Sequence, residues 1–292
     1  MSLTPSRGIP VGAYYMLIAK RDSNGYPVGL VTDPETIPNG TTMQPYLIRS
    51  LVNFTPEDRA IGVVSNKGGQ RVISKTLVGT DDIGDATFTL SEYDETFLAL
   101  IKQVAVDVTT IDGLAQTASN ANQDEFPRFF VMFGTRFTDS RDGMDYWLTD
   151  VYGNAQIYQP SGRSISQDTG VNPNPLAFTL SPSLSTKHID GRNFSESSGL
   201  YVKSASDMRV TIRSRRPLAF TSHKASAANT SYALGYRPIY DTASGATNNS
   251  FTKNGTTFAA TALNTTTGVL TFPAGADGDF HVGLYQTGFV PA

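Results

Sequence analysis

Cysteine is absent from the 292 residues, and histidine occurs only three times. Disulfide bonds, thiolate metal sites and cysteine nucleophiles are therefore excluded. The chain also lacks an HExxH zinc motif, a GxSxG nucleophile motif, a P-loop and a GxGxxG turn before a predicted helix. The sequence predicts no catalytic, cofactor-binding or metal-binding residue, and so a protein that is not an enzyme.

Charge is also scarce, because 17% of the residues are charged and the formal net charge is -3. Surface polarity must come largely from Ser, Thr, Asn and Gln, whose burial against another protein costs less than the burial of a charge. A dedicated nucleic-acid binder would be clearly basic, although a protein that nucleic acid merely passes is compatible with this charge. No apolar run reaches membrane-spanning length or has the features of a signal peptide. We expect a protein made in the cytoplasm, without a membrane partner.

Alternating apolar and polar residues predict a mainly β protein. The predicted strands of the first half are 14–20, 26–31, 46–54, 60–64, 70–78, 129–139 and 146–157. Asn24-Gly25 predicts a hairpin turn, and the long polar loop 32–45 is interpreted as an arm that reaches a neighbouring subunit. The polar stretch 191–199 predicts a boundary between a domain at 1–196 and a second β-rich domain at 197–292, where the final segment looks like a terminal hairpin.

Residues 79–103 change their period halfway. Ala86, Phe88 and Leu90 alternate with threonines as in a half-buried strand, whereas Phe97 and Leu98 begin a helical stripe that continues through Ile101 and Val104. Ser91 and Asp94 have the spacing of a capping box, so a short helix is expected to start there. The chain is therefore predicted to contain one short helix among its strands.

Two groups of titratable residues are candidates for chemistry. His188 and Asp190 are two positions apart and would share a face of a strand, so they are a possible acid/base pair. A surface or subunit-contact histidine is the favoured interpretation, because no nucleophile or oxyanion loop accompanies the pair. The acidic turns Asp81, Asp82, Asp85 and Asp277, Asp279 lack the spacing of a calcium loop and are interpreted as solvated turns.

The remaining candidates are a basic strand and a set of tyrosines. The basic residues are Arg209, Arg213, Arg215 and Arg216, which we interpret as partners in salt bridges or as protection of an exposed strand edge. The tyrosines are Tyr232, Tyr236 and Tyr240, which as an exposed set would stack on sugars. They support the alternative function of an adhesin or carbohydrate-binding module, although core or turn positions fit them equally well.

The stretch 65–101 resembles the tail-tube, or major tail, proteins of long-tailed bacteriophages. In that family a strand ending in a T-x-T-L-like run leads into a short helix. The matching residues are Thr87, Phe88, Thr89, Leu90, Asp94, Phe97, Leu98 and Ile101. The similarity extends in pattern from about residue 10 to about residue 190, and also fits the inner tubes of contractile tails.

The resemblance implies a β-sandwich flanked by one helix and assembled into hexameric rings, which stack into the tube of a virion. One sheet of each subunit would join its neighbours' sheets around the lumen, which pairs edges that are otherwise exposed. The implied partners are further copies of the chain, other tail proteins at the tube ends, and viral DNA in transit without specific binding. Residues 197–292 lie outside the resemblance and would form an outer β-rich domain, which is immunoglobulin-like by analogy.

Overall fold

The computed structural model of the protein describes residues 8–31, 33–57, 59–68, 71–92, 94–101, 104–111, 114–119, 127–140, 143–158, 176–193, 209–227, 231–240, 249–258, 262–272 and 276–288. The fold is mainly β, with antiparallel sheets, as the sequence predicts. The strands before the helix are β1 (Gly8–Lys20), β2 (Thr41–Met43), β3 (Tyr46–Ile48), β4 (Leu51–Thr55), β5 (Arg59–Gly68), β6 (Arg71–Ile83) and β7 (Ala86–Leu90).

The helix α1 (Glu95–Leu100) follows β7. The strands between it and residue 200 are β8 (Val104–Ile111), β9 (Leu114–Ser119), β10 (Phe129–Asp139), β11 (Asp145–Tyr158) and β12 (Leu176–Pro182). The later strands are β13 (Val210–Ser214), β14 (Leu218–Lys224), β15 (Ser231–Ala233), β16 (Ser250–Lys253), β17 (Thr256–Thr257), β18 (Ala262–Leu263), β19 (Val269–Thr271) and β20 (Phe280–Gln286).

The largest sheet has eight strands and curls around its own side chains. Its order is β3-β1-β10-β11-β12-β7-β4, and β13 pairs with the first half of β11. The two end strands, β3 and β4, are consecutive in the chain and separated only by Arg49 and Ser50. A register shift where β10 pairs with β11 bends the sheet, as β-bulges do. The curl brings the edges of the sheet together, and we refer to it below as the curled sheet.

The predicted central hairpin is confirmed. β10 and β11 pair through most of their length, and β1 pairs with β10 on the other side. Along β1 the side chains alternate between two clusters: Tyr15, Leu17 and Ala19 face one cluster, whereas Met16 and Ile18 face the other. Both faces are therefore buried along 15–19 of β1 and 129–133 of β10, which explains why these two stretches are apolar without interruption.

The cluster inside the curl, called here the inner core, receives residues from every strand of the path from β3 to β4. Its members are Met16, Ile18, Ile48, Leu51, Ala86, Phe88, Leu90, Phe97, Leu98, Ile101, Phe129, Val131, Phe133, Tyr152, Ala155, Ile157, Phe178 and Leu180. Phe97 meets the rings of Phe88 and Phe178 edge-on, at centroid distances of 6.2 and 5.1 Å. The helix thus supplies Phe97, Leu98 and Ile101 to the inner core, as the helical stripe predicts.

The start of the helix differs from the prediction. Asp94, not Ser91, is the N-cap: its Oδ1 accepts the Phe97 amide at 3.0 Å, and its Oδ2 accepts the Tyr46 hydroxyl at 2.8 Å. The Ser91 amide instead donates to the Ser50 carbonyl at 2.8 Å. The carboxylate at 94 therefore caps the helix and ties it to β3, so the helix begins one turn later than the capping-box spacing suggests. Val104 lies in β8, beyond the helix.

The second half of the chain covers the other face of the curled sheet. Together with β2 from the first half it forms a five-stranded sheet, β17-β16-β20-β14-β2, and by itself a three-stranded sheet, β15-β19-β18. The cluster between these sheets and the curled sheet is called here the inter-sheet core. It unites Tyr15, Leu17, Ala19, Phe130, Met132, Trp147, Val151 and Ile189 with Leu218, Ala219, Phe220, Tyr232, Leu234, Ile239, Phe251, Leu270, Phe272, Leu284 and Tyr285.

This shared core corrects the predicted division into domains 1–196 and 197–292. In the structure β13 pairs with β11, and β14 pairs with β2, so strands from the two sides of residue 196 also share hydrogen-bonded ladders. The Tyr15 hydroxyl donates to the Leu218 carbonyl at 2.9 Å and accepts the Leu218 amide at 2.9 Å. The change of composition at 191–199 therefore does not mark the limit of a core.

Three local predictions are wrong. Segment 26–31 forms an isolated bridge, Arg21 to Pro27, where a strand is predicted. Loop 32–45 packs on its own chain: Ile37 is buried, and β2 pairs with residues 222–224 of β14. In place of the expected terminal hairpin, β19 and β20 belong to different sheets. In the last two cases pairing with a distant strand, which local pattern does not reveal, decides the structure.

The inner core gives a direct test of the helix. Phe97→Ala removes a fully buried ring that contacts two other rings, so the free energy of unfolding should fall by about 3–5 kcal/mol. The control Thr96→Ala alters an exposed neighbour in the same turn and should change stability by less than about 0.5 kcal/mol. Urea unfolding followed by circular dichroism measures both. Equal stabilities for the two variants would show that the helix does not anchor in this core.

Candidate functional site

His188 and Asp190 come together, but in the interior. Both are buried, and the His188 Nδ1 lies 3.0 Å from Asp190 Oδ1. Arg192 Nε and the Ser250 hydroxyl donate to Asp190 Oδ2 at 2.8 and 2.9 Å. Burial opposes the charge of Asp190, but His188 and Arg192 outweigh it and hold its pKa well below the usual range. The interpretation of His188 as a surface histidine is therefore wrong; the group ties turn 187–193 to β16.

The other two histidines form a second buried cluster. His223 on β14 is directly opposite His281 on β20, with ring centroids 6.2 Å apart. Tyr232 stacks on His223 at 4.7 Å, and Phe272 meets His281 edge-on at 4.1 Å. Among the described residues, the Nε2 of His223 and both ring nitrogens of His281 are buried without a hydrogen-bond partner. The two histidines pack as aromatic rings beside Tyr232 and Phe272.

The His223–His281 cluster makes stability depend on pH. Burial and the neighbouring His223 lower the pKa of His281 to about 4. An unfolded histidine takes up its proton near pH 6.5, so acidification stabilises the unfolded chain first. The free energy of unfolding should fall by up to about 3 kcal/mol as the pH drops from about 6.5 to about 4.

Urea titrations across this pH range measure the effect. The variant His281→Phe has no ring proton to gain, so its stability should lose most of the dependence on pH. Phe272 and Phe258 already surround the site with aromatic rings, so the phenylalanine ring should be accommodated. The lowered pKa of Asp190 contributes mainly below this window, because an unfolded aspartate takes up its proton only near pH 3.9. A wild-type stability independent of pH in this window would refute the assignment.

The basic strand is used within the molecule. Arg209 Nε lies 3.2 Å from Glu57, Arg213 Nη2 lies 3.7 Å from Asp139, and Arg216 covers the ring of Tyr240 at 4.5 Å. Arg215 donates to the sulfur of Met144 at 3.7 Å. Two of the four arginines are thus paired with carboxylates, whereas Arg215 and Arg216 contact an uncharged sulfur and an aromatic ring.

The three tyrosines do not form an exposed set. Tyr232 is buried in the inter-sheet core, and the Tyr236 hydroxyl donates to the Pro45 carbonyl at 2.6 Å. Tyr240 alone is exposed, and Arg216 lies over its ring. A sugar would therefore meet one covered ring and not a platform of three.

The acidic turns do not gather around a cation. Asp279 Oδ2 accepts the Ala276 amide at 2.7 Å, and its Oδ1 accepts the Asn254 side-chain amide at 2.7 Å, so it closes a turn. Asp85 and Asp277 are exposed, and the side chains of Asp81 and Asp82 lie outside the described residues. In the described part of the chain, no three histidine or acidic side chains are grouped to hold a metal ion.

Two long hairpins remain after these groups, and they are the candidate functional elements. β5 and β6 pair with each other from Arg59–Ile83 to Gly68–Arg71, and β8 pairs with β9. Neither ladder joins another strand among the described residues. An isolated two-stranded hairpin is marginally stable in water, and it exposes the hydrogen-bonding groups of both its edges. Strands of ten and thirteen residues without a third strand therefore suit a contact with another molecule.

The sequence predicts the two strands of the 59–83 hairpin at 60–64 and 70–78. It does not predict that they pair only with each other among the described residues. The signal for the turn was present in the glycines of the intervening SNKGG. The absence of a third pairing strand depends on the rest of the fold and leaves no local trace.

Comparisons with protein-family models, with curated proteins and with solved structures give no match. Among the described residues, no helix is long and apolar enough to cross a membrane.

Proposed function

We propose that the protein is the structural subunit of a bacteriophage tail tube, in which hexameric rings stack around a lumen that DNA crosses during ejection. The observation that carries the proposal is the 59–83 hairpin, whose two edges are unpaired in the described chain. A neighbouring copy that packs on the hairpin would cover those edges and stabilise it. Repetition of one such contact from subunit to subunit builds a ring or a stack.

The rest of the molecule supports a passive structural role. The curled sheet, with its helix, agrees with the architecture that the sequence resemblance implies. The inner core and the inter-sheet core give the hairpins a well-packed body to extend from. The second half of the chain covers one face of the curled sheet. In the proposed tube the whole chain, and not residues 1–196 alone, forms the repeating body.

The charge distribution supports passage of DNA without binding. Affinity for DNA grows with each phosphate that a Lys or Arg neutralises. The chain has 23 basic residues against 26 acidic ones, and Arg209 and Arg213 are paired with carboxylates of the same molecule. A subunit without an excess of basic residues suits a tube that DNA crosses without binding.

Electron microscopy of the purified protein tests the proposal. Wild-type protein should form rings or hollow rods with six-fold symmetry. A variant in which an Asn-Gly turn replaces residues 61–81 retains the Arg59–Ile83 pair at the hairpin base. It should remain monomeric and should unfold at nearly the wild-type urea concentration, because the hairpin ladder joins no other sheet in the described chain.

A surface substitution on the body, Leu184→Ser, is the control and should assemble as the wild type does, since Leu184 is exposed. Normal tubes from the hairpin variant would refute the role of the hairpin. A wild-type protein that stays monomeric at high concentration would refute the proposed function itself.

A further inference from the structure

A buried carboxylate lies at the base of the 59–83 hairpin. Glu57 is two residues before the first strand of the hairpin and has 7% of its surface exposed. Its Oε2 accepts the Tyr152 hydroxyl at 2.5 Å, and its Oε1 lies 3.2 Å from Arg209 Nε. A buried carboxylate is costly unless it is paired and hydrogen-bonded, and Glu57 has both kinds of partner. We call Glu57, Tyr152 and Arg209 the clamp.

Packing fixes the direction of the Tyr152 hydroxyl. Tyr152 is fully buried in the inner core and meets the rings of Phe133 and Phe54 edge-on, at 6.1 and 6.3 Å. Phe54 stacks in turn on Phe133 at 4.0 Å. Burial and the hydrogen bond to Glu57 both raise the pKa of Tyr152, so its hydroxyl stays protonated and donates. The chain is thus held at Phe54 and again at Glu57, just before it enters the hairpin.

Arg209 balances the charge of the group. It lies between Glu57 and Asp150, at 3.2 and 4.0 Å, and Asp150 also accepts the Thr211 hydroxyl at 2.5 Å. Burial raises the pKa of Asp150, although Thr211 and Arg209 counter the effect. Because Arg209 adjoins β13, the clamp links the hairpin base to a strand from the second half of the chain.

A second hydrogen bond holds the chain where it leaves the hairpin. The Tyr158 hydroxyl donates to Asp85 Oδ2 at 3.2 Å, and Asp85 follows the last hairpin strand by two residues. This contact is exposed, so it is weaker than the clamp. Tyr152 and Tyr158 both belong to β11, so one strand of the curled sheet holds the chain where it enters and where it leaves the hairpin.

We propose that the Glu57–Tyr152–Arg209 clamp sets the direction in which the 59–83 hairpin leaves the body, and that assembly between copies requires it. The inference rests on the proposed function for its second part only. A hairpin whose ladder joins no other sheet in the described chain has its direction fixed mainly at its base. Tyr152, Glu57 and Arg209 are positioning residues, because they act through the hairpin and not on the partner.

A distance between labels measures the direction without assembly. The chain has no native cysteine, so the pair Asn66→Cys, on the hairpin, and Leu184→Cys, on the body, can carry two spin labels specifically. Tyr152→Phe removes one hydroxyl and keeps the ring, and Glu57→Gln removes the charge. Tyr146→Phe, which removes a hydroxyl from the same strand outside the clamp, is the matched control.

At concentrations where the full chain is monomeric, pulsed electron resonance should give a narrow distance distribution for the wild type and for Tyr146→Phe. Tyr152→Phe and Glu57→Gln should give distributions about twofold broader or clearly displaced, while circular dichroism shows that the fold is retained. Their critical concentration for assembly should rise at least about tenfold, since ordering the hairpin then opposes assembly. Low salt should not restore assembly of Glu57→Gln, because the carboxylate charge that this variant lacks belongs to a buried site.

A broad distribution in the wild type, or an unchanged narrow one in Tyr152→Phe and Glu57→Gln, would overturn the clamp whether or not the protein forms tubes. If the distances change as expected but no variant and no wild-type sample assembles, the clamp holds and the proposed function fails. If the distances change and the clamp variants assemble as well as the wild type, the second part of the inference is wrong.

Discussion

Contact between the curled sheet and the five-stranded sheet depends on how closely the ring of Tyr15 lies on the curled sheet. The ring of Tyr15 lies over Gly134, its partner on β10, where a Cβ atom would come within 1.9 Å of the ring. With no side chain at 134, the ring lies close to the sheet, and its hydroxyl reaches both the carbonyl and the amide of Leu218. Those backbone groups are buried, so losing either partner would cost about 1–3 kcal/mol. One tyrosine on the curled sheet therefore meets hydrogen-bonding groups of the other sheet that would otherwise stay unsatisfied.

Placement of Tyr15 follows from the burial of both faces of β1, β10 and β11. Alternate residues of these strands supply the inner core and the inter-sheet core, so neither core can form without the same backbone. The helix closes one core, and the strands after residue 209 close the other. The ladders of the hairpins at 59–83 and 104–119 join neither of these sheets among the described residues. The molecule thus combines a body with two cores and two hairpins that pair only within themselves in the described part of the chain.

The local sequence pattern predicted an element correctly where its hydrophobic period matches the packing of that element. The alternation in β7, the stripe of Phe97 and Leu98, and the apolar strands β10 and β11 all occupy the positions predicted for them. It failed where a distant strand decides. The boundary near residue 196 came from composition, which reports exposure, whereas the inter-sheet core joins residues more than 200 positions apart, such as Tyr15 and Leu218. Loop 32–45 is polar in sequence, but β14 holds its end as β2.

The candidate site shows the same limit. His223 and His281 carry no local signal, and their contact arises only from the pairing of β14 with β20. Glu57 and Tyr152 are 95 positions apart, and the burial that gives their hydrogen bond its importance is a property of the finished core. The sequence did indicate a chain that is rich in strands and poor in charge. It did not indicate which edges remain unpaired after folding.

One sheet supports both cores, so we expect the body to unfold as a single unit. Scanning calorimetry of the monomeric chain measures this. We predict one transition whose calorimetric enthalpy equals its van't Hoff enthalpy, since unfolding either core removes β1, β10 and β11 from the other. Two transitions, with the segment after residue 196 melting apart from the rest, would show that the two cores are independent.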